Sequence, residues 1–406
     1  ADESPSAGDG LAPIKANLVA KASLEAWSGT RRLDDSGTAS FPLLSLQAKA
    51  TAGNSLSLKF DGLAAGRDEA LGGRPPLAVI REAYLAYRQN ALRLRVGEQI
   101  ISWGRADLIN PTDNLSARKY TWLASSDADQ KVGPFSVSGE WSWGANAVQV
   151  VWQPFFRPDD IPLPKVPGFR YADHRPSTSL DAAAIRYDVS DSDLSWSVSY
   201  FQGPSKRPNL AAQPASLAQG RLDLDYPFMR AFGGDIERLV GKWVVRSEAA
   251  YSRVEGSGSD PLASRESFFL GVLGLERSFG QCSAFLQTIY RHTFDYIDPE
   301  QVPLPLQQAA RGSATINDET RRNLFGLGSG LTYNTPDLRT SASVDVVYFA
   351  DIDDWSLRPR LRYKLTDTVA TEFGGDYFAG SDDGPLGRLQ KNRLAFVRIE
   401  YALAGD

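Results

Sequence analysis

Cysteine is nearly absent from this 406-residue chain. Cys282 stands alone, which excludes an intrachain disulfide and any multi-cysteine metal site. Histidine is almost as scarce, with only His174 and His292, and no Gly-rich phosphate loop or zinc-ligand spacing accompanies them. A barrel hydrolase needs a histidine activated by a neighbouring acid beside a nucleophile or a water. His292, three residues before Asp295, is the one pair in the right zone, and so short a spacing arises readily by chance. The chain is therefore read as not an enzyme, with no catalytic residue, metal or cofactor. Long apolar runs are missing too, and nothing approaches the ~18 residues a membrane-spanning helix needs. Basic excess is absent: the net charge is −5 and the pI about 5.4, which argues against nucleic acid as a partner. No repeat appears at solenoid or propeller period.

What the chain has instead is two alternating phases along almost its whole length. In the first segment Ile14, Ala16, Leu18, Ala20, Ala22 and Leu24 alternate with Lys15, Asn17, Lys21, Ser23 and Glu25. In the last, Ala395, Val397, Ile399, Tyr401 and Leu403 alternate with Arg398 and Glu400. Successive side chains of a strand point to opposite faces, so each segment reads as a strand with one apolar and one wet face. A soluble sandwich would show the same pattern locally. The connections decide against it. Tight turns at Ala52-Gly53-Asn54, Gln89-Asn90, Gly144-Ala145-Asn146, Phe279-Gly280 and Leu365-Thr366-Asp367 alternate strictly with long polar loops. A sandwich has no reason to sort its loops by length onto one end.

The expected fold is all-β: a transmembrane antiparallel barrel of about 18 strands, with short periplasmic turns and long extracellular loops. The barrel is expected over 14–403, with 1–13 a flexible periplasmic segment. Ala1 in place of Met, before a polar small-residue stretch, reads as a mature terminus left by signal-peptide removal. A hydrophobic content of 42% with mean hydropathy −0.30 suits such a barrel, because only alternate residues face lipid. So do 9 Trp, 15 Tyr and 19 Phe, enough for interfacial girdles. Most prolines fall in the long loops. Pro359 is one exception, inside the expected strand Trp355–Lys364, where it would mark a bulge. The closing strand ends without a terminal aromatic residue. The expected location is the bacterial outer membrane, as a monomer among outer-membrane lipid and lipopolysaccharide.

If one phase faces lipid, the other must face the lumen. Arg358, Arg360, Arg362 and Lys364 then form one inward row, and Arg93 and Arg95 another, with Glu82, Asp188, Glu248, Asp345, Glu372, Asp376 and Glu400 the inward acids. The first row is too one-signed for Glu372 and Asp376 next door to neutralise. It is read as a basic ladder that attracts anions, the other reading being that these residues pair with neighbouring acids and line a wet interior. Acidic loop runs at Asp351-Ile352-Asp353-Asp354 and Ser381-Asp382-Asp383-Gly384 are read as solvated rather than as Ca²⁺ ligands.

The segment Val96–Leu123, VGEQIISWGRADLINPTDNLSARKYTWL, differs from the other loops. It is too long for a plain connector. Trp103, Ile109, Leu115, Tyr120 and Trp122 are too many for disorder, and Asn110-Pro111-Thr112-Asp113-Asn114 offers caps and a proline-led turn. The span 104–132 is expected to fold into the lumen and narrow it, with Arg105, Asp107, Asp113 and Arg118 at the constriction; the alternative is an external loop packed on the barrel rim. Together with VVWQPFFRPDDIPLP, this segment resembles outer-membrane proteins related to the alginate-export porins, in which a Gly-x-Gln strand runs into a Trp-Gly and Asn-Pro loop. The resemblance is sharpest between Arg81 and Phe156. It implies a monomeric barrel that passes or exports a hydrophilic, often anionic solute or polymer, here a channel for an anionic solute or exopolysaccharide. The alternative is a plugged barrel serving a periplasmic or inner-membrane export partner.

Overall fold

The computed structural model describes residues 14–28, 38–65, 77–120, 130–161, 163, 168–211, 214–256, 266–304, 306–382, 384–391 and 393–403. The expected N-terminal segment 1–13 and Trp122 lie outside these. One sheet of eighteen strands dominates. In chain order they are β1 Ile14–Ser28, β2 Thr38–Ala52, β3 Leu56–Ala65, β4 Leu77–Gln89, β5 Leu92–Glu98 and β6 Phe135–Trp143. Then come β7 Asn146–Trp152, β8 Ala183–Ser190, β9 Leu194–Pro204, β10 Phe228–Val240, β11 Trp243–Val254 and β12 Phe268–Phe279. The last six are β13 Cys282–Thr293, β14 Asn323–Asn334, β15 Thr340–Phe349, β16 Asp354–Lys364, β17 Val369–Ala379 and β18 Arg393–Leu403.

Each strand pairs antiparallel with the next. β18 pairs back on β1, with Leu18 opposite Leu403 and Ser28 opposite Arg393, so the sheet closes into a barrel. Closure matters because hydrocarbon offers no hydrogen bonds to a free edge.

Side chains follow the two phases. Leu361 on β16 and Val397 on β18 point outward, 45% and 41% exposed. On the same strands Arg360 and Arg398 point inward. Exposed aromatics gather at both ends of the apolar belt. Trp143, Trp243, Phe279, Tyr333, Tyr363 and Tyr401 lie beside the tight turns, and Tyr251, Phe325, Tyr348 and Trp355 lie toward the long loops. Trp243 and Tyr251 are eight residues apart on β11, about 27 Å along a strand at ~3.4 Å per residue. Tilted by ~40°, that is about 21 Å of height, comparable with the ~25 Å apolar band of outer-membrane barrels.

Two irregularities have local causes. Between β3 and β4 the register shifts at Asp61/Gly62, so that Arg81 is the extra residue and both Arg81 and Glu82 are buried. Pro359 was expected to mark a bulge. Instead β16 keeps its register on β17, and only the rungs at Arg358 and Pro359 are missing from that pairing. Proline has no N–H for a ladder, and on the β15 side it still stands opposite Val344.

The outward phase makes a testable demand. Leu361→Arg or Val397→Arg places a charge against lipid at a cost of ~2–4 kcal/mol near the midplane. Ser343, opposite Arg360, shares its inward face. Ser343→Arg should therefore insert and show heat-modifiable mobility on gels, whereas the two outward variants should insert poorly. Equal insertion of all three would show the phase assignment to be wrong.

Candidate functional site: a segment across the lumen

Strand β5 ends at Glu98, six residues before the span 104–132 expected to fold inward, and the chain then leaves the wall. Gln99 fastens the exit point. It is fully buried, donates to Ser136 O at 2.7 Å and accepts from Ser138 Oγ at 2.8 Å. Trp103 donates from its indole nitrogen to Gln149 at 2.7 Å. Ile101, Trp103 and Leu115 pack on Val151, Ala184, Phe201, Met229, Ala231 and Val254, inward-facing apolar residues of β7–β11.

Beyond Trp103 the segment meets Glu248 of β11, which is 2% exposed. One carboxylate oxygen accepts from the amides of Arg105 at 3.1 Å and Ala106 at 3.4 Å. The other accepts from the amide and hydroxyl of Thr112, both at 2.8 Å. Gly104, at φ +98°, lies so close that a Cβ there would collide with this carboxylate. Farther round the wall, Gln287 of β13 accepts from the amides of Asp107 and Leu108, both at 3.1 Å. Leu108 reaches Gly328 on β14. In a barrel of eighteen strands, β14 stands nine places from β5 and so diametrically opposite it. The segment thus passes from one side of the lumen to the other along the inner wall.

Of the four residues expected at a constriction, Arg105 and Asp107 pair with charged groups of the wall. Arg105 bonds to Asp188 of β8 at 2.9 Å and to Asp235 of β10. Arg186 joins the same two aspartates. Asp107 pairs at 2.8 Å with Arg246 of β11, which also bonds to Glu237 and Glu276. Asp113 and Arg118 are elsewhere. They pair with each other at 3.2 Å, Asp113 also takes Lys131 at 2.7 Å, and Arg118 lies in a short ladder with Lys131 and Val132.

The basic row is less one-signed than its sequence suggests. Arg360 bonds to Asp376 at 2.6 Å, with Arg358 3.7 Å from the same carboxylate. Arg362 makes a two-pronged contact with Glu400 at 2.9 and 3.1 Å. The expectation overlooked Glu400 because it is two strands away and reached by a long guanidinium. Lys364 is exposed at the tight-turn end. In the second row Arg93 is 3.3 Å from Glu140, and the Arg95 guanidinium lies 5.6 Å from the Tyr84 ring centre.

These pairings leave two unequal walls. Around the crossing segment, Asp107, Asp188, Asp235, Glu237, Glu248 and Glu276 outnumber Arg105, Arg186 and Arg246, six acids to three bases. On β15–β18, Arg358, Arg360, Arg362, Lys364 and Arg398 face Asp345, Glu372, Asp376 and Glu400, five bases to four acids. The acid-rich set spans β8–β12 and the base-rich set β15–β18, so the two occupy different stretches of the wall. Of the acids in the first set, only Asp188 of β8 stands nine places from a strand of the second, β17.

Above the lumen the described parts of several long loops form a cap. Arg170–Asp173, Arg221–Asp225 and Asn209–Ala211 make a small sheet, and helix Gln307–Ile316 packs on it through Leu210, Leu222, Leu224 and Ile316. Arg207, Asp318 and Arg388 join three of the loops, and Tyr120 of the crossing segment's loop accepts from Arg207 at 3.2 Å. Burial alone would raise the Asp318 carboxyl, but Arg207, Arg388 and Arg291 outweigh it and hold the group far below the usual carboxylate range.

Neither histidine sits in a hydrolytic arrangement. His174 Nε2 is 2.9 Å from one oxygen of Asp223, and Ser216 donates to the other. The aspartate stands in the middle, whereas activation of the serine would need the histidine there. His292 Nδ1 is 2.7 Å from Asn323 Oδ1, and its ring stands edge-on to Phe294. Among the described residues no group of three or more His, Cys, Asp or Glu is placed to hold a metal ion.

Sequence reasoning missed Arg186 as the second base on Asp188 and Asp235, and Asp235, Arg246 and Gln287 as partners of the segment. It also missed its apolar footing on Val272, Ile289, Leu324 and Phe349, where Ala106 and Ile109 pack. One signal was present: Phe268–Leu275 is apolar in both phases, which reads as a strand covered on both faces.

A closed antiparallel barrel with an apolar belt, aromatic rims and a charged interior is an outer-membrane β-barrel of the porin type, and such a barrel resides in the bacterial outer membrane. No protein-family model matches the chain, and no curated protein matches it in sequence. Solved structures do match its fold. A BenF-like porin from Pseudomonas fluorescens Pf-5 superposes with a TM-score of 0.58 at 9% identity, over 97% of this chain and 100% of that one. The outer-membrane protein OpdK of Pseudomonas aeruginosa gives 0.57 at 9% identity, over 98% and 100%. OccK7 (OpdD) of the same organism gives 0.56 at 11%, over 97% and 99%. Identity this low carries the architecture alone. The structural neighbours are porins of this kind, and none of these comparisons shows an alginate-export family.

Two predictions follow from this geometry. Glu248→Ala removes the acceptor of three amides and a hydroxyl, and loss of bonds to a charged group costs about 2 kcal/mol or more. Amide exchange over 105–112 should accelerate about thirtyfold, and bilayer conductance should rise. Unchanged exchange would mean that Glu248 does not hold the segment.

The second concerns the cap. The bond to Asp223 raises the His174 pKa, helped by Asp225 and opposed by Arg221. The Ser216 and His174 bonds lower that of Asp223. The histidine's contribution is therefore complete below its unfolded value of ~6.5 and fades as pH rises through its raised folded value. The aspartate's is complete above ~3.9 and fades on acidification. The His174 amide, which donates to Leu224 O at 3.0 Å, should be better protected at pH 5 than at pH 8 after correction for intrinsic exchange. Equal protection would remove the pair from the cap's stability.

Proposed function

We propose that this chain is an outer-membrane channel for a hydrophilic solute, and that the solute carries negative charge. The observation that carries the reading is the crossing segment, which folds inside a lumen lined by an acid-rich and a base-rich stretch of wall. A narrow passage of low dielectric focuses the field of its lining charges, so paired guanidinium groups still orient and attract an anionic group. OpdK has been solved with vanillate, a small carboxylate, and this chain shares its fold at a TM-score of 0.57 and 10% identity. That precedent favours a small carboxylate over a polymer. The exopolysaccharide suggested by the alginate-export resemblance is the less favoured cargo, because a polymer must thread past a segment that reaches β14. Arg105, Asp107, Arg358, Arg360 and Arg362 are proposed to line the passage, with Arg93, Arg95 and Lys364 on its approaches and Asp113 and Arg118 supporting the segment.

A plugged barrel acting as part of a larger export assembly is the second reading. Its support is the set of buried ion pairs joining the loops at Arg207, Asp318 and Arg388. Reversal potentials separate the two. Arg358, Arg360 and Arg362 changed together to Glu should move a salt-gradient reversal potential toward cations. The shift should shrink at 1 M salt, where the Debye length is about 3 Å. A folded variant with wild-type selectivity, or a wild-type protein without conductance, would favour the plugged reading.

A further inference from the structure

On the lipid-facing wall, toward the long loops, Arg230 of β10 and Arg253 of β11 are directly opposite each other. Both point outward, since Met229 and Ala231 beside Arg230, and Ser252 and Val254 beside Arg253, are buried. Like charges directly opposite on neighbouring strands are unfavourable unless something between them carries the other sign. Glu255 meets part of that need, 2.9 Å from Arg230 and itself exposed, and among the described residues one positive charge of the pair remains. Gln202 of β9 completes the same rung, opposite Arg230. One rung nearer the barrel's middle, Tyr200, Phe232 and Tyr251 stand side by side. Tyr200 and Phe232 have ring centres 4.7 Å apart, and the Tyr200 hydroxyl donates to Gln202 at 2.9 Å. The wall thus carries an aromatic shelf at hydrocarbon level and, directly above it, a cationic and amide rung.

We propose that this patch binds a phosphorylated glycolipid of the outer leaflet, with a phosphate on Arg230 and Arg253 and the sugar or upper acyl chain on the aromatic shelf. The position selects the occupant. The guanidinium groups lie one rung above the apolar belt on the outside of the barrel, the level of lipid headgroups. The chemistry agrees, since two forked guanidinium donors side by side match phosphate oxygens, and aromatic faces at the interface suit a group that is apolar below and wet above. The site is separate from the lumen and stands whether or not the barrel conducts.

The test uses the full-length barrel in detergent, with lipid binding read by native mass spectrometry and by thermal shift. Three probes are compared: a diphosphorylated lipid A, the same glycolipid with its phosphates removed, and inorganic phosphate. The wild type should bind the phosphorylated lipid about tenfold more tightly than the dephosphorylated one, with the difference falling as salt rises. Arg230→Gln/Arg253→Gln should lose that difference. Arg339→Gln, at a tight turn on the opposite rim, should keep it. Equal binding of the two glycolipids by the wild type would overturn the proposal even if the double variant failed to fold. Retention of the preference by a folded double variant would overturn it as well. Saturation by inorganic phosphate, with no added gain from the lipid, would reassign the patch to a free anion.

Discussion

An unpaired backbone N–H or C=O in hydrocarbon costs several kcal/mol, and that constraint governs the rest of this molecule. It requires every wall strand to have two neighbours, and β1 meets β18 to satisfy it. Closure then forces the period-two division of side chains, because a strand in a closed sheet has only an outside and an inside. It also explains where irregularity is tolerated. The Arg81 bulge and the rungs missing at Pro359 each disturb a few bonds while the neighbouring register continues.

A second constraint follows inside. Charges driven from the lipid face are crowded into a lumen where water is limited, and an unpaired ion there is costly. The interior responds by pairing: Arg362 with Glu400, Arg360 with Asp376, Arg105 with Asp188 and Asp235. Pairing does not erase asymmetry. The crossing segment brings Asp107 beside Glu237 and Glu276, with Arg246 shared among all three, so acid accumulates on the wall the segment lies against. The same segment that enters the lumen therefore polarises it.

The cap applies this logic outside the membrane. Loops from different hairpins have little apolar surface to hold them, and what they have is gathered around Leu210, Leu222, Leu224 and Ile316. Buried ions complete the join. Beside Asp159, burial pushes the Lys206 ammonium down to about 8, partly offset by that carboxylate. Groups this desolvated fix the arrangement of their partners more than they add to stability.

Much of the fold was legible in the residues because period two is a local property. Ile14 to Leu24 and Ala395 to Leu403 announce their faces without reference to any neighbour, and the sorting of turns by length follows from a barrel having two different ends. The inward segment was legible as an anomaly: too long for a connector and too aromatic for solvent. Its partners were not, because Glu248, Gln287 and Gly328 lie far along the chain and meet it only once the sheet has closed. The pairing of Arg362 with Glu400 was hidden for the same reason. Sequence by itself determined which face each strand turns to lipid, since that choice depends on the alternation of single residues. Which charges remain uncompensated inside, and which wall the segment leans on, was decided by tertiary structure, because only closure brings residues of distant strands round one lumen.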